Sequence, residues 1–155
     1  MKPSDITHFC IDFISFLKQY IEMIEWEEKY SVGISMIDEE HKKLIGILNK
    51  AICAKGNNDN LEELREVLRE ITNYTLMHFK TEETYMKEFN YPEYQDHKEE
   101  HRHFSTETIA YHDKVITGDS QIANEIIEYL KWWFVNHIQV TDKKYVVCFK
   151  KNDLI

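Results

Sequence analysis

Five histidines and two carboxylates recur at helical spacings in this chain, and their chemistry is that of metal ligands. They are His41, His78, Glu82, His97, His101, His137 and Asp142. An interval of four residues, as in His78–Glu82 and His97–His101, places two side chains on one face of a helix. Neutral imidazoles and carboxylates are donors that first-row transition metals prefer. The pattern therefore predicts that side chains from four helices converge on two metal ions.

A metal-free interpretation explains these residues less well. A single histidine on an apolar face is usually a core residue that hydrogen-bonds to a polar neighbour. Here that interpretation is needed five times, and it leaves the Glu82 carboxylate without a cation inside a bundle core, which costs several kcal/mol. Metal ions remove all these penalties together. The other three histidines lie off the apolar stripes and are predicted to be surface residues: His8, His103 and His112.

The donor set restricts the kind of metal site. No cysteine lies on a stripe, which excludes a tetrahedral thiolate zinc site. Seven ligands suit two six-coordinate ions if both carboxylates bridge, a solvent oxygen adds a further bridge, and the histidines divide three and two. One coordination position then stays open, which suits iron and small-ligand binding, although the donor chemistry also admits manganese or cobalt. Carboxylate-rich di-iron oxygenases use Glu-x-x-His pairs, which are absent from these stripes. The predicted ligand set is instead dominated by five neutral histidines, which favours reversible binding over O–O cleavage.

Four amphipathic segments carry these side chains, over residues 38–55, 60–89, 92–118 and 119–140. Their apolar positions follow the 3-4 spacing of helices that face a bundle core, and the last stripe ends with Trp133, His137 and Val140. The short connections imply antiparallel neighbours, so the predicted fold is an all-α, up-down-up-down four-helix bundle.

Asp142 follows His137 by five residues and lies roughly 140° away on an ideal helix. Either the last turn widens there or the chain leaves the helix.

Composition bounds the remaining possibilities. A chain of 155 residues with only 4 Gly and 2 Pro is predicted to be one domain of long helices. The net charge of −9 argues against nucleic acid or an anionic membrane as a partner. Three cysteines without a C-x-x-C spacing, Cys10, Cys53 and Cys148, indicate reduced thiols and a cytoplasmic location.

An N-terminal extension, residues 1–24, precedes the predicted bundle domain of residues 25–155. Asp12 interrupts its apolar run and no small-residue cleavage site follows, so neither a signal peptide nor a membrane span is predicted. Residues 8–24 show a helical stripe at Phe9, Phe13, Phe16, Leu17, Tyr20, Ile21 and Ile24. We expect an additional helix that packs on the domain, on a partner protein or on a second copy of the chain.

Taken together, the motifs resemble those of the hemerythrin family, and specifically its bacterial single-domain members. The resemblance covers residues 26 to about 145 and fills all seven ligand positions. It is carried by Trp26-x6-Gly33-Ile34, Ile37-Asp38-x-x-His41-Lys42, His78-Phe79-x-x-Glu82-Glu83, His97-x-x-x-His101 and Trp133-x-x-x-His137-Ile138-x-x-x-Asp142.

The resemblance implies a non-haem centre of two iron ions, Fe2+ or Fe3+, with a bridging oxo or hydroxo group and O2 as its reversible ligand. By the same resemblance, one iron takes His97, His101 and His137, and the other takes His41 and His78 and keeps the open position. Glu82 and Asp142 bridge the two.

The stripes also predict apolar residues around the open position, namely Leu44, Phe79, Trp133, Phe134 and Ile138, although plain core packing explains them too. Phe134 stands where the family more typically has leucine, which bears on O2 exchange rather than on metal binding.

The predicted function is O2 carriage, storage or local supply. The alternatives are O2 or redox sensing, although no signalling module is predicted within these 155 residues, and a small di-iron enzyme that handles peroxide or nitric oxide.

Overall fold

A computed structural model describes residues 23–56, 61–116 and 122–154 of the chain. All regular secondary structure in these ranges is helical. A short 3₁₀ helix, Glu28–Tyr30, is followed by α1 (Ser35–Gly56), α2 (Leu61–Glu88), α3 (Tyr94–Ile116), α4 (Ile122–Asn136), a π-helical turn (His137–Asp142) and α5 (Lys143–Lys151). None of the described helices is both long enough and apolar enough to cross a bilayer.

The helices form the predicted antiparallel bundle. Lys50 near the end of α1 pairs with Glu70 near the start of α2, while Glu40 at the other end of α1 reaches His78 further along α2. Helices α3 and α4 also run in opposite directions, since Tyr111 contacts Tyr129 and Phe104 contacts Trp133. The prediction of an all-α four-helix bundle is therefore confirmed, with helix bounds within a few residues of those expected.

Asp38 anchors the loop that leads into α1. Its carboxylate accepts hydrogen bonds from the Ser31 hydroxyl at 2.6 Å and from the Val32 backbone N–H at 2.7 Å. Gly33 follows with φ of +67°, a conformation that glycine adopts without steric cost. This local network fixes where α1 begins, and therefore how far His41 projects into the bundle.

The π-helical turn resolves the five-residue spacing between His137 and Asp142. Its wider i→i+5 ring lets both side chains point into the core, where they are 3 % and 0 % exposed. The first of the two expected alternatives, a widened last turn, is the one found. The same widening makes the prediction for Val140 wrong: the side chain leaves the core stripe and is 56 % exposed, while Thr141 is buried instead.

Two apolar clusters pack above and below the predicted ligands. On α1, the ligand His41 lies between Ile37 of one cluster and Leu44 of the other. On α2, which runs the opposite way, Met86 belongs to the first cluster and Ile71 to the second. The polar residues therefore form one layer across the bundle, closed from both ends by apolar side chains.

The predicted N-terminal helix lies outside the described residues, apart from its last two positions. Met23 and Ile24 are not helical. The backbone of Ile24 instead exchanges two hydrogen bonds of 2.9 Å with the side chain of Asn49, which holds the start of the described chain against α1. The roles predicted for residues 1–22 stay predictions.

Candidate metal centre

The structure brings all seven predicted ligands into one buried layer, in which no member is more than 3 % exposed. Two overlapping groups have their ligand atoms within 4.8 Å of one another, and Glu82 belongs to both groups. We call the first the three-histidine group and the second the two-histidine group. Their members are His97, His101 and His137 with Glu82, and His41 and His78 with Glu82 and Asp142.

Within the three-histidine group, the ring nitrogens converge on one point. The Nε2 atom of His101 lies 3.0 Å from Nε2 of His97 and 3.1 Å from Nε2 of His137. In the two-histidine group, the His41 and His78 rings meet edge to face with centroids 4.9 Å apart. Both arrangements point nitrogen atoms toward a shared space rather than toward backbone carbonyls.

The two carboxylates face both groups at once. Oε1 of Glu82 lies 4.0 Å from Nε2 of His41 and 3.7 Å from Nε2 of His78, while its Oε2 lies 3.2 Å from Nε2 of His101. Asp142 repeats the division: Oδ2 is 3.3 Å from Nε2 of His41, and Oδ1 is 3.2 Å from Nε2 of His137. One oxygen of each carboxylate therefore serves each histidine group.

Three further glutamates, which the sequence analysis missed, support the histidines from outside. Glu40 on α1 lies 2.8 Å from Nδ1 of His78 on α2. Glu83 on α2 lies 3.2 Å from Nδ1 of His101 on α3, and Glu100 on α3 lies 3.0 Å from Nδ1 of His137. Helices α1, α2 and α3 thus each send a carboxylate to a histidine of the next element in the bundle.

These outer glutamates fix the tautomer of their histidines. A ring nitrogen that faces a carboxylate carries the proton, so the Nε2 atoms of His101 and His137 are lone-pair acceptors when the rings are neutral. Two acceptors at 3.1 Å, beside two carboxylates, repel one another unless a cation lies between them. Carboxylate–histidine pairs of this kind orient the ligands of metal ions in proteins.

Unpaired polar atoms in the layer point to the same conclusion. Nε2 of His41, Oε2 of Glu82 and both carboxylate oxygens of Asp142 are buried and make no hydrogen bond within the described part of the chain. Leaving such atoms unsatisfied is costly. The residues present therefore fit a pair of metal ions, which would satisfy these atoms and the convergent imidazoles together.

The electrostatics of the layer favour positive charge at its centre. Burial lowers the pKa of the His137 imidazole, but contacts with Asp142, Glu100 and Glu82 outweigh burial and raise that pKa to about 10. Burial raises the pKa of the Glu82 carboxyl, yet the surrounding histidines hold it well below its usual range. The carboxylates thus stay ionised and attract cations.

Tyr145 is a fourth residue of the site that the sequence analysis missed. Its buried hydroxyl donates a 2.5 Å hydrogen bond to Oε1 of Glu82, the oxygen that faces the two-histidine group. Burial, with Asp142 and Glu82 nearby, raises the pKa of Tyr145 well above its usual value, so the hydroxyl keeps its proton. No spacing signal in the sequence separates this tyrosine from the apolar residues around it.

The five predicted pocket residues are all buried, at 7 % exposure or less. The Phe79 ring stacks on the imidazole of His101 at 3.8 Å, and the Trp133 ring stacks on that of His137 at 4.2 Å. These two rings therefore pack directly against the three-histidine group. Leu44, Phe134 and Ile138 belong to the adjoining apolar cluster. Their role around an open coordination position stays a prediction.

Comparison with known proteins agrees with this geometry. A family model described as the hemerythrin HHE cation binding domain matches residues 32–148. Bacteriohemerythrin of Clostridium acetobutylicum is 29% identical over 128 residues, which cover 80% of this chain and 99% of that protein. A hemerythrin-like protein of Naegleria gruberi is 31% identical over 120 residues, which cover 77% of this chain and 88% of its own length.

A solved structure of wild-type hemerythrin superimposes with a TM-score of 0.75 and 27% identity, and the match covers 81% of this chain and 97% of that chain. The family match spans every predicted ligand, from His41 to Asp142. Fold, motif spacing and site geometry therefore agree, and the chain belongs to the hemerythrin family.

Proposed function

We propose that this chain holds two iron ions in the buried layer and binds O2 reversibly, as a carrier, store or local supplier of O2. His97, His101 and His137 would hold one ion, and His41 and His78 the other. Glu82 and Asp142 would bridge the two, with an oxo or hydroxo group as a third bridge. The proposal also places the protein in the cytoplasm, because three cysteines without a C-x-x-C spacing are typical of reduced thiols.

The division of the carboxylate oxygens is the observation that supports two ions rather than one. A carboxylate bound to a single ion has no reason to aim its second oxygen at another group of imidazoles. Glu82 and Asp142 both do so, with oxygen–nitrogen distances of 3.2 to 4.0 Å on the two sides. Glu82 and Asp142 would therefore each offer one oxygen to an ion on either side.

The unequal histidine groups support small-ligand binding. Three imidazoles, two carboxylate oxygens and a solvent-derived oxygen would supply six ligands to one ion. The same count with two imidazoles would supply five, so an ion held by His41 and His78 would keep one position for a ligand. When bound there, iron supplies the redox chemistry that reversible O2 binding needs, which zinc cannot supply.

The surroundings of the layer favour binding over turnover. Apolar side chains close both ends of the layer, and the seven ligand side chains are at most 3 % exposed. Each outer glutamate is already engaged with an imidazole, so those carboxylates hold ligands in place rather than serve as free acids for substrate protonation. We therefore place O2 binding ahead of peroxide or nitric oxide chemistry and ahead of sensing.

The test is the absorption spectrum of the iron-loaded, anaerobically reduced chain before air, after air and after O2 is removed again. We expect a new visible band on oxygenation that disappears when O2 is withdrawn, over several cycles. The zinc-loaded chain serves as the control and should show no band in any state. An irreversible change with continuing O2 consumption would contradict the proposal and indicate an enzyme.

A further inference from the structure

An open cleft runs along the outside of the bundle between α2 and α3 and encloses about 430 Å³, a volume typical of small-molecule sites. We call it the α2–α3 cleft. Phe79, 4 % exposed, lies deep in it beside His101. The half-exposed side chain of Leu76 adds an apolar wall nearer the rim. The cleft therefore offers an apolar surface that a flat or aliphatic group could cover.

Basic side chains surround this apolar surface. Lys80, Lys87 and Lys98 line the cleft, are exposed, and make no ion pair within the described residues. Arg102 also lines it but is paired with Glu99, which lies one turn away on α3. Lys87 and Lys98 also lie over the Tyr94 ring, 5.4 and 5.9 Å from its centroid, a contact that does not neutralise their charge. In a chain whose net charge is −9, three lysines without an ion pair around one concavity run against the general charge balance.

The cleft contains one carboxylate, and that carboxylate is already engaged. Oε1 of Glu83 lies 3.2 Å from Nδ1 of His101. Three lysines against one carboxylate leave an excess of positive charge that a bound anion would balance.

We propose that the α2–α3 cleft binds a small organic anion, with its apolar body against Leu76 and Phe79 and its carboxylate, sulfonate or phosphate group among Lys80, Lys87 and Lys98. A simple inorganic anion would leave the apolar wall exposed to water, and a purely apolar ligand would leave the lysines without a counter-charge. An anion with an apolar body satisfies both parts of the cleft. The site does not depend on which metal fills the bundle core.

The experiment uses 8-anilinonaphthalene-1-sulfonate, an aromatic sulfonate, in a fluorescence titration of the metal-loaded full chain. We expect saturable binding of one equivalent that weakens as salt is added, because exposed charges are screened. The double variant Lys80→Glu/Lys98→Glu should bind at least ~10-fold more weakly, from the loss and reversal of two contacts to the sulfonate. Leu76→Ser, which leaves the charge unchanged, should weaken binding by about 3-fold.

A charge-matched control separates a local effect from a general one. Lys50→Glu/Lys151→Glu changes the net charge by the same amount but lies outside the cleft, and it should bind the probe like the unmodified chain. Equal loss in both double variants would overturn the proposal. So would the absence of saturable binding, or displacement of the probe by poly-glutamate but not by naphthalene-1-sulfonate, which would indicate a docking site for an acidic protein instead.

Discussion

The two histidine groups differ in how firmly the protein holds them. In the three-histidine group, His101 and His137 each have an outer glutamate on Nδ1 and an aromatic ring stacked on one face. In the two-histidine group, His78 has an outer glutamate, whereas Nδ1 of His41, like Nδ1 of His97 in the other group, makes no hydrogen bond among the described residues. Two imidazoles of the three-histidine group are therefore held by both a glutamate and a stacked ring, whereas His78 in the two-histidine group has a glutamate but no stacked ring among the described residues.

This difference matches the proposed chemistry. An ion that keeps six ligands throughout benefits from rigid imidazoles, because reorganisation would cost energy without a functional return. An ion that gains and loses a ligand benefits from imidazoles that can adjust. Glu82 and Asp142 belong to both halves, so they would transmit changes at the adjustable ion to the rigid one.

Removal of both ions should produce the largest effect. Chelation leaves five imidazoles and two carboxylates in the core with few partners, so the bundle loses several kcal/mol of stability. For a chain of this size we expect the melting temperature to fall by about 10 °C or more. Circular dichroism melts of the metal-free and metal-loaded chain would measure this, and coincident curves would show that the layer does not depend on metal.

Loss of a bridging carboxylate should damage both halves at once. Glu82→Ala or Asp142→Ala removes an anion that faces both histidine groups, so the two cations would repel each other with less compensation. We expect fewer than two metal ions per chain by elemental analysis in each variant. Glu99→Gln, which changes an exposed carboxylate on α3, is the control and should keep two. Two ions in both alanine variants would contradict the bridging assignment.

Removal of an outer glutamate should affect the halves unequally. Glu40→Gln takes away the outer carboxylate that the described part of the chain gives the two-histidine group, whereas Glu83→Gln leaves Glu100 in the three-histidine group. Changes of this kind typically lower metal affinity by about 10–100-fold. We expect the larger loss for Glu40→Gln when the metal-loaded chain competes with a chelator. An equal or opposite order would remove the distinction drawn between the two halves.

Replacement of Phe134 should produce the smallest effect. Phe134→Leu opens space in the apolar cluster next to the layer, and we expect a stability loss of about 1–2 kcal/mol. If Phe134 restricts access to the open position, the variant should release O2 faster in stopped-flow measurements, or its autoxidation should become faster. Unchanged rates with a lower melting temperature would make Phe134 a packing residue only.

The sequence predicted the bundle and the ligand layer because both depend on spacing within one helix. His78 and Glu82 share a face by their interval alone, whatever packs against them. The pairing of Glu40 with His78 links two helices and depends on how those helices pack. The position of Glu40 next to His41 in the sequence therefore does not predict it. Val140 was placed wrongly because a helix of constant pitch was assumed through a turn that widens to admit Asp142.

The position of a small anion on the iron-loaded chain tests the central claim most directly. We would soak crystals of the oxidised chain with azide and locate the ions by anomalous diffraction at the iron edge. The account predicts two ions, both contacted by Glu82 and Asp142, with azide on the ion that His41 and His78 hold. Azide on the ion held by His97, His101 and His137, or a single ion in the layer, would contradict it.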